Sequence, residues 1–476
     1  MQNTRPILAW ETLLDLEPDA GTGARAPLRD RVEAALRLAI DEGRLTAGSA
    51  VPPSRALAET LGVSRWVVTE AYGQLVAEGV LEARTGSATR VAEQHGEPFP
   101  AAAPAPAALP EAHQAVPMRY DLRPGIPDLR ATPRSRWSAA LRTAVATLPD
   151  HELVAAHPFG FAPAREAIAA YLSRSRLAAA DARRITITHG ATDGMGILSR
   201  ELHRRGHRMI LVEDPSWPRL RAVAEENGLH PIPVPVDGDG VDTRRLSELA
   251  ATTGARAALV TPAHQFPLGA ALAPARRDEL VRWARENDAL VIEDDYDAEF
   301  RYDRRPIPAL HRLAPDRVAL IGSLSKSVSP AWGLGWMLLP PDLTPPGSAA
   351  PPSLIDQAAL AVFVTRGDLE RHLRSSRTRF RRRRQRLLDA LQAELPDLLV
   401  SGIAAGMHLV LPLPPGSSAT EVATAGAAAG LALTPLRRYA FDDRHPESLV
   451  LGYGNLDDAL VEEAVSRLAA LLRVRR

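Results

Sequence analysis

Of the 57 basic residues in this 476-residue chain, Lys326 is the one lysine; every other is arginine. Arginine serves wherever charge or bidentate hydrogen bonding is enough. A lysine kept against that background points to work needing a neutral amine, attack on a carbonyl to give a Schiff base, which guanidinium cannot do. Lys326 stands in Gly322-Ser-Leu-Ser-Lys-Ser, directly after the apolar run Val318 to Ile321. A second apolar run leads into Glu293-Asp294-Asp295-Tyr296-Asp297. An isolated acid run is a solvated turn. A carboxylate emerging from a buried strand can instead pair with a protonated ring nitrogen, and a nearby tyrosine can bond a ring hydroxyl. Gly190-Ala191-Thr192 opens a helix whose free N–H groups can hold a phosphate. Trp217, after another strand, either stacks on a flat ring or fills a core.

These groups are carried by strands alternating with helices: Ile185 to Thr188, Met209 to Val212, Ala258 to Val260, Ala289 to Ile292 and Val318 to Ile321 are short apolar runs. That alternation predicts a mainly parallel α/β sheet with ligands at the carboxyl ends of its strands. Upstream, Leu28 to Glu42 has a helical stripe at Val32, Leu36 and Ile40. Ser54 to Leu61 and a helix capped by Ser64 and running to Glu78 flank a Gly62-Val63 turn. Two short β stretches around Thr85-Gly86-Ser87 follow. This is the pattern of a helix-turn-helix with a wing, in which Ser64, Arg65 and Trp66 face a DNA major groove, Arg55 a phosphate, and Arg84 or Arg90 the wing region.

Residues 92–118 are rich in Ala and Pro and cannot build a core, so they read as a semi-rigid spacer. The expected domains are 1–91, the spacer, and 119–476, with a large part at about 158–340 and a small α+β part at about 345–476. Net charge is zero, so DNA binding must come from a local basic face. The absence of cysteine excludes disulfides, thiolate zinc sites and thiol catalysis. No metal site is expected. No apolar stretch approaches a membrane span and the first residues lack a signal core, so a cytoplasmic location is expected. The run Arg377 to Arg386 reads as one solvated helix face with Leu387, Leu388 and Leu391 packing inward.

The stretch PPSRALAETLGVSRWVVTEAYGQLVAEGVLEARTGSATRV resembles the winged helix of GntR-type regulators. The later order of phosphate cup, aromatic, carboxylate and lysine resembles fold-type I pyridoxal phosphate (PLP) enzymes. The most specific stretches are Thr261-Pro-Ala-His-Gln-Phe-Pro-Leu-Gly269, Ile292 to Tyr302 and Ser323-Leu-Ser-Lys326. Together they resemble a MocR/GabR-type regulator over nearly the whole chain. The resemblance implies PLP held by Lys326, Asp294 on its ring nitrogen, Tyr296 on the ring hydroxyl and Trp217 stacked on the ring. Ala191, Thr192, Ser323 and Ser325 would receive the phosphate, and Arg219 an effector carboxylate. It implies a head-to-tail homodimer on double-stranded promoter DNA, regulated by PLP itself or a small amino compound.

Three departures stand out. Seven residues after the lysine the family carries a phosphate-binding arginine, where this chain has Gly333. Gly190-Ala-Thr-Asp-Gly has Asp in place of the usual Gln. Ser448 to Tyr453 lacks the arginine that anchors a substrate carboxylate, leaving Arg437 and Arg438 as substitutes. These losses favour a sensor over an enzyme. The rival expectation is a working aminotransferase tethered to DNA.

Overall fold

The computed structural model describes Trp10 and residues 27–83, 87–93, 118–154, 157–302, 307–344 and 350–473. The chain divides into two compact units, Met1–Ala115 and Val116–Arg476. Most of the expected spacer, and Arg84 with it, lies outside the described residues.

In the smaller unit, the helices Leu28–Asp41, Ser54–Leu61 and Arg65–Ala77 close around Leu36, Leu57, Val68 and Leu75, all fully buried. Gly62 ends the second helix at φ +63°, a left-handed corner that a side chain disfavours. Ser64 then caps the third, its hydroxyl accepting from the Val67 N–H at 3.4 Å. Strands β1 (Leu81–Glu82) and β2 (Arg90–Val91) pair antiparallel, forming the base of the wing.

The larger unit begins at β3 (Tyr120–Asp121). Its eight-stranded sheet is built from β4 (Ile185–Thr188), β5 (Met209–Asp214), β6 (His230–Asp237), β7 (Gly240–Val241), β8 (Ala257–Val260), β9 (Leu290–Asp294), β10 (Val318–Ser323) and β11 (Gly335–Leu338). Their order is β4-β11-β10-β9-β8-β5-β6-β7. β11 runs antiparallel to β4 and β10, β7 antiparallel to β6, and the other pairings are parallel. The five runs located in the sequence are strands, but β5, β9 and β10 continue through polar residues, so Asp214, Asp294 and Ser323 still belong to the sheet.

Side chains alternate across the sheet. Ile210, Val212 and Ile292 pack with Leu198 and Leu220 on one face, and Leu211 and Val291 with Leu246 and Leu280 on the other. Beyond the sheet come β12 (His408–Pro412), β13 (Leu431–Ala432), β14 (Thr434–Pro435) and β15 (Ser448–Gly452). Three of these form a small sheet in the order β12-β15-β14, and β13 pairs with β3. The helices Asp368–Glu394 and Val461–Arg473 pack with this end of the chain.

Leu387 and Leu391 are buried there and Leu388 half-buried, as expected. The arginine run is not purely a solvated face, however. Arg383 is 2% exposed, bonded to Asp458, to Asp128 at 3.0 Å and to the Tyr453 carbonyl at 2.9 Å. A guanidinium has five donors, enough to satisfy several buried acceptors from one helix position.

Candidate functional site

The carboxyl ends of β4, β5, β9 and β10 converge on a cavity of about 210 Å³. Lys326 enters it from the turn after β10, and Asp294 from the last position of β9. Trp217 precedes the helix Pro218–Glu226, whose starting proline fixes the chain direction as it leaves the sheet. Ala191 and Thr192 are the first residues of the helix Ala191–Arg204, and Ser323 and Ser325 face the same space. All eight residues expected to hold a cofactor therefore line one cavity.

The Glu293-to-Asp297 run divides its labour by strand alternation and the turn that follows. Glu293 points away from the cavity, accepting the Leu310 and His311 N–H groups at 2.9 and 3.0 Å. Asp295 is paired at 2.7 Å with Arg176, which is 1% exposed. Asp294 alone of the three lines the cavity, and its Oδ1 has no hydrogen-bond partner among the described residues. Burial, then the charge of Asp295, pushes its carboxyl up to about 7, with Lys326 opposing. A buried carboxylate with an unused lone pair fits a cationic N–H donor.

Burial lowers the Lys326 amine from its ordinary value, while Asp294 and Asp297 oppose that shift. Its Nζ lies 4.8 Å from the Trp217 ring centroid. An amine so placed spends more of its time neutral than one in water, as a nucleophile must. Glu213, buried behind the site, is pushed up to about 7 by burial, while the Thr261 hydroxyl and N–H oppose.

Residues not anticipated from the sequence complete the wall. Gly125, at φ +76°, passes so close to the lysine that a Cβ there would lie 3.0 Å from Nζ. Phe266 stands edge-on to Trp217, with centroids 5.7 Å apart. His264 lies behind Tyr296, its Nδ1 3.0 Å from the phenol and 2.9 Å from Asp297. His264, Asp297 and His408 offer atoms within 4.8 Å of one another, but the imidazoles are engaged in hydrogen bonds, to Asp297 and to the Pro267 carbonyl. The quoted motif at Thr261 to Gly269 contained His264; nothing in one sequence showed which atoms it would meet.

Three expected effector contacts lie elsewhere. Arg219 is exposed and pairs with Glu226 at 2.7 Å, because helical geometry carries its side chain outward from the turn after Trp217. Arg437 pairs with Asp443 at 3.2 Å, and Arg438 is exposed; neither lines the cavity. Gly333 has φ +55°, and a Cβ built on it meets nothing within 4 Å. The position is open but left-handed, so an arginine there carries a backbone cost of roughly 1–2 kcal/mol.

In the smaller unit Ser64, Arg65 and Trp66 are exposed together at the start of the third helix, Trp66 at 66%. Arg55 is exposed beside Glu59 at 3.3 Å. The first turn of the helix thus presents a basic and an aromatic side chain to solvent.

Residues 28–91 match the family described as "Bacterial regulatory proteins, gntR family", and residues 139–468 match "Aminotransferase class I and II". The pyridoxine biosynthesis transcriptional regulator PdxR of Corynebacterium glutamicum is 34% identical over 93% of this chain and 94% of its own length. The probable rhizopine catabolism regulatory protein MocR of Rhizobium meliloti is 30% identical over 94% of each. Among solved structures, an archaeal alanine:glyoxylate aminotransferase superposes with TM-score 0.67 at 24% identity, covering 76% of this chain and 92% of that one. The kynurenine aminotransferase of Pyrococcus horikoshii gives 0.66 at 22% identity, with the same two coverages.

Proposed function

The chain belongs to the MocR-type transcription regulators, DNA-binding proteins joining a gntR-family winged helix to an aminotransferase-like unit, and we propose that its cavity binds PLP on Lys326 as a sensor. The larger unit has the fold of a PLP-dependent family. One observation carries the reading: a lysine amine, an orphan buried carboxylate and an indole converge on one cavity with no arginine in its lining among the described residues.

The residues fit the cofactor. Asp294 would take the ring N–H, Tyr296 the ring hydroxyl and Trp217 a ring face. The phosphate would sit at the N–H groups of Ala191 and Thr192 with Ser323 and Ser325, and His189 beside them. Bound, PLP supplies a carbonyl that condenses reversibly with amines and a ring that withdraws electrons. Turnover asks for a guanidinium anchor on a substrate carboxylate, and the lining provides none among the described residues. A sensor requires only differential affinity between two states, gained when PLP or a small amino compound exchanges at Lys326.

DNA affinity would come from Arg65, Trp66 and Ser64 in the major groove with Arg55 on the backbone, in a head-to-tail homodimer reading half-sites about 34–36 Å apart. Among the described residues no helix is long and apolar enough to cross a membrane, which accords with a cytoplasmic regulator.

The test is a visible spectrum of the full chain with PLP, followed by borohydride and peptide mapping. Colour lost in Lys326→Ala, with the label on Lys326, is expected; equal colour in the variant would overturn the assignment. Keto acid released at about 10 per second or faster would favour the enzyme reading. A promoter mobility shift unchanged by PLP and by amino compounds would remove the sensor role.

A further inference from the structure

We infer that His264 and Asp297 are positioning residues for Tyr296, forming a buried Asp–His–Tyr chain that keeps the phenol a hydrogen-bond donor toward the cavity. The inference rests on the reading that PLP occupies this cavity on Lys326. Tyr296 itself lines the cavity, while His264 and Asp297 stand behind it, their side chains 2% and 1% exposed.

The chemistry of the partners constrains where protons sit. Asp297 approaches His264 Nδ1 at 2.9 Å with one oxygen and 3.2 Å with the other. A carboxylate only accepts, so Nδ1 carries the hydrogen and donates it. The Tyr296 hydroxyl is 3.0 Å from the same nitrogen, and the two rings lie nearly parallel, 21° apart. With Nδ1 protonated and its hydrogen directed to Asp297, the phenol oxygen is at most a second, shared acceptor of that hydrogen, and it keeps its own. Burial, then the Asp297 and Asp294 charges and a hydrogen bond to the Asp297 carboxylate, hold that hydrogen on the phenol, pushing Tyr296 well above its ordinary value.

A separate feature shows that the backbone is shaped around this pair. Gly406, at φ +69°, leaves no room for a side chain: a Cβ there would overlap His264 Cε1 and lie 2.6 Å from Asp297 Oδ2. The Gly406 N–H donates to the Phe300 carbonyl at 2.7 Å, and its carbonyl accepts from the Tyr453 hydroxyl at 2.8 Å and from Tyr302. On the far side stands His408, its ring centroid 5.0 Å from that of His264 and its Nε2 3.0 Å from the Pro267 carbonyl. Burial, with the His264 charge, takes His408 down to about 3, so it stays neutral. The titratable groups that face Tyr296 are therefore Asp294 and Asp297 from the β9 end, Glu213 from β5 and His264; Lys326 shares the cavity, and His408 lies one ring further back.

The experiment is a pH titration of the visible band of the PLP-loaded full chain, in a double-mutant cycle. Loss of the donor in Tyr296→Phe is expected to raise the midpoint by about one pH unit, because donation to a ring oxygen favours its anionic form. His264→Ala should move it the same way, and His264→Ala/Tyr296→Phe should match Tyr296→Phe alone. His264→Asn, whose amide can still bond the phenol, should recover part of the shift.

A midpoint unmoved by His264→Ala, or two shifts that add in full, would overturn the inference. If His264→Ala does not fold, Asp297→Asn takes its place: its shift must shrink in the Tyr296→Phe background, and a shift of equal size in both backgrounds would reduce Asp297 to a distant charge. A wild-type chain with no visible band sinks the PLP reading instead, which separates the two failures.

Discussion

The Cα of Gly125 faces the amine of Lys326 so closely that one added methyl would stand 3.0 Å from Nζ. These residues are 201 positions apart in the sequence, and the lysine's freedom depends on a side chain that is missing elsewhere.

Gly125→Ala tests that relationship. The methyl crowds the amine, and φ +76° is left-handed, which costs an L-residue roughly 1–2 kcal/mol. PLP affinity, read from the visible band, is expected to fall by about tenfold or more. Promoter binding without PLP should be unchanged, since the winged helix is a separate compact unit. Equal PLP affinity would show that the lysine has room to move aside.

Asp294→Asn should weaken PLP binding and stabilise the PLP-free protein. The Asp294 carboxyl is raised to about 7, so the folded state holds its proton longer than the unfolded chain does. The resulting destabilisation is absent below the unfolded value of about 3.9, grows as pH rises and is complete above about 7. The gain in Tm of Asp294→Asn over wild type should therefore widen from pH 5 to pH 7 and level off by pH 8. A gain that stays constant over this range would contradict the burial argument. Glu213, also raised to about 7, adds the same trend to both proteins.

Arg65→Ala is expected to weaken a specific promoter fragment by roughly 1–3 kcal/mol in a mobility-shift titration at fixed salt. Ser64→Ala should behave differently. Its hydroxyl caps the helix at the Val67 N–H, so its loss lowers Tm through about 1 kcal/mol of capping energy. Unchanged binding in Arg65→Ala would remove that residue from the interface.

Arg176→Leu strands Asp295 in the core behind the site and should cost about 3–5 kcal/mol in denaturant unfolding. Arg176→Leu/Asp295→Leu should recover much of that loss, because the unpaired charge is then gone. A double variant as unstable as the single one would mean that other acceptors of Arg176, such as the Ile307 carbonyl, matter more.

How much of this was legible in the sequence varies by residue. The lone lysine, the acid run and the five apolar runs marked both the fold class and the cofactor wall, because each signal is local: a residue type at the end of a strand. The helix-turn-helix was equally local, with Gly62 and Ser64 at its corner. The effector arginines were not legible. Arg219 follows Trp217 by two residues, yet one lines the cavity and the other pairs with Glu226 at the surface, since Trp217 is the extended residue before the helix and Arg219 already lies in its first turn. Arg383, read as part of a solvated face, is in the core because Asp128 and Asp458 reach it from distant segments.

By itself the sequence determined the chemistry available: one amine, a carboxylate at a strand end, a missing arginine at Gly333 and a winged helix ahead of an α/β unit. Only the tertiary structure decided the partners. It put Glu293 and Asp295 to structural use while leaving Asp294 orphaned, set Gly125 against Lys326, and joined His264 to Asp297 and Tyr296. The physical reason is that strand periodicity fixes which face a side chain takes. Which distant backbone comes within 3 Å of it depends on how the layers pack.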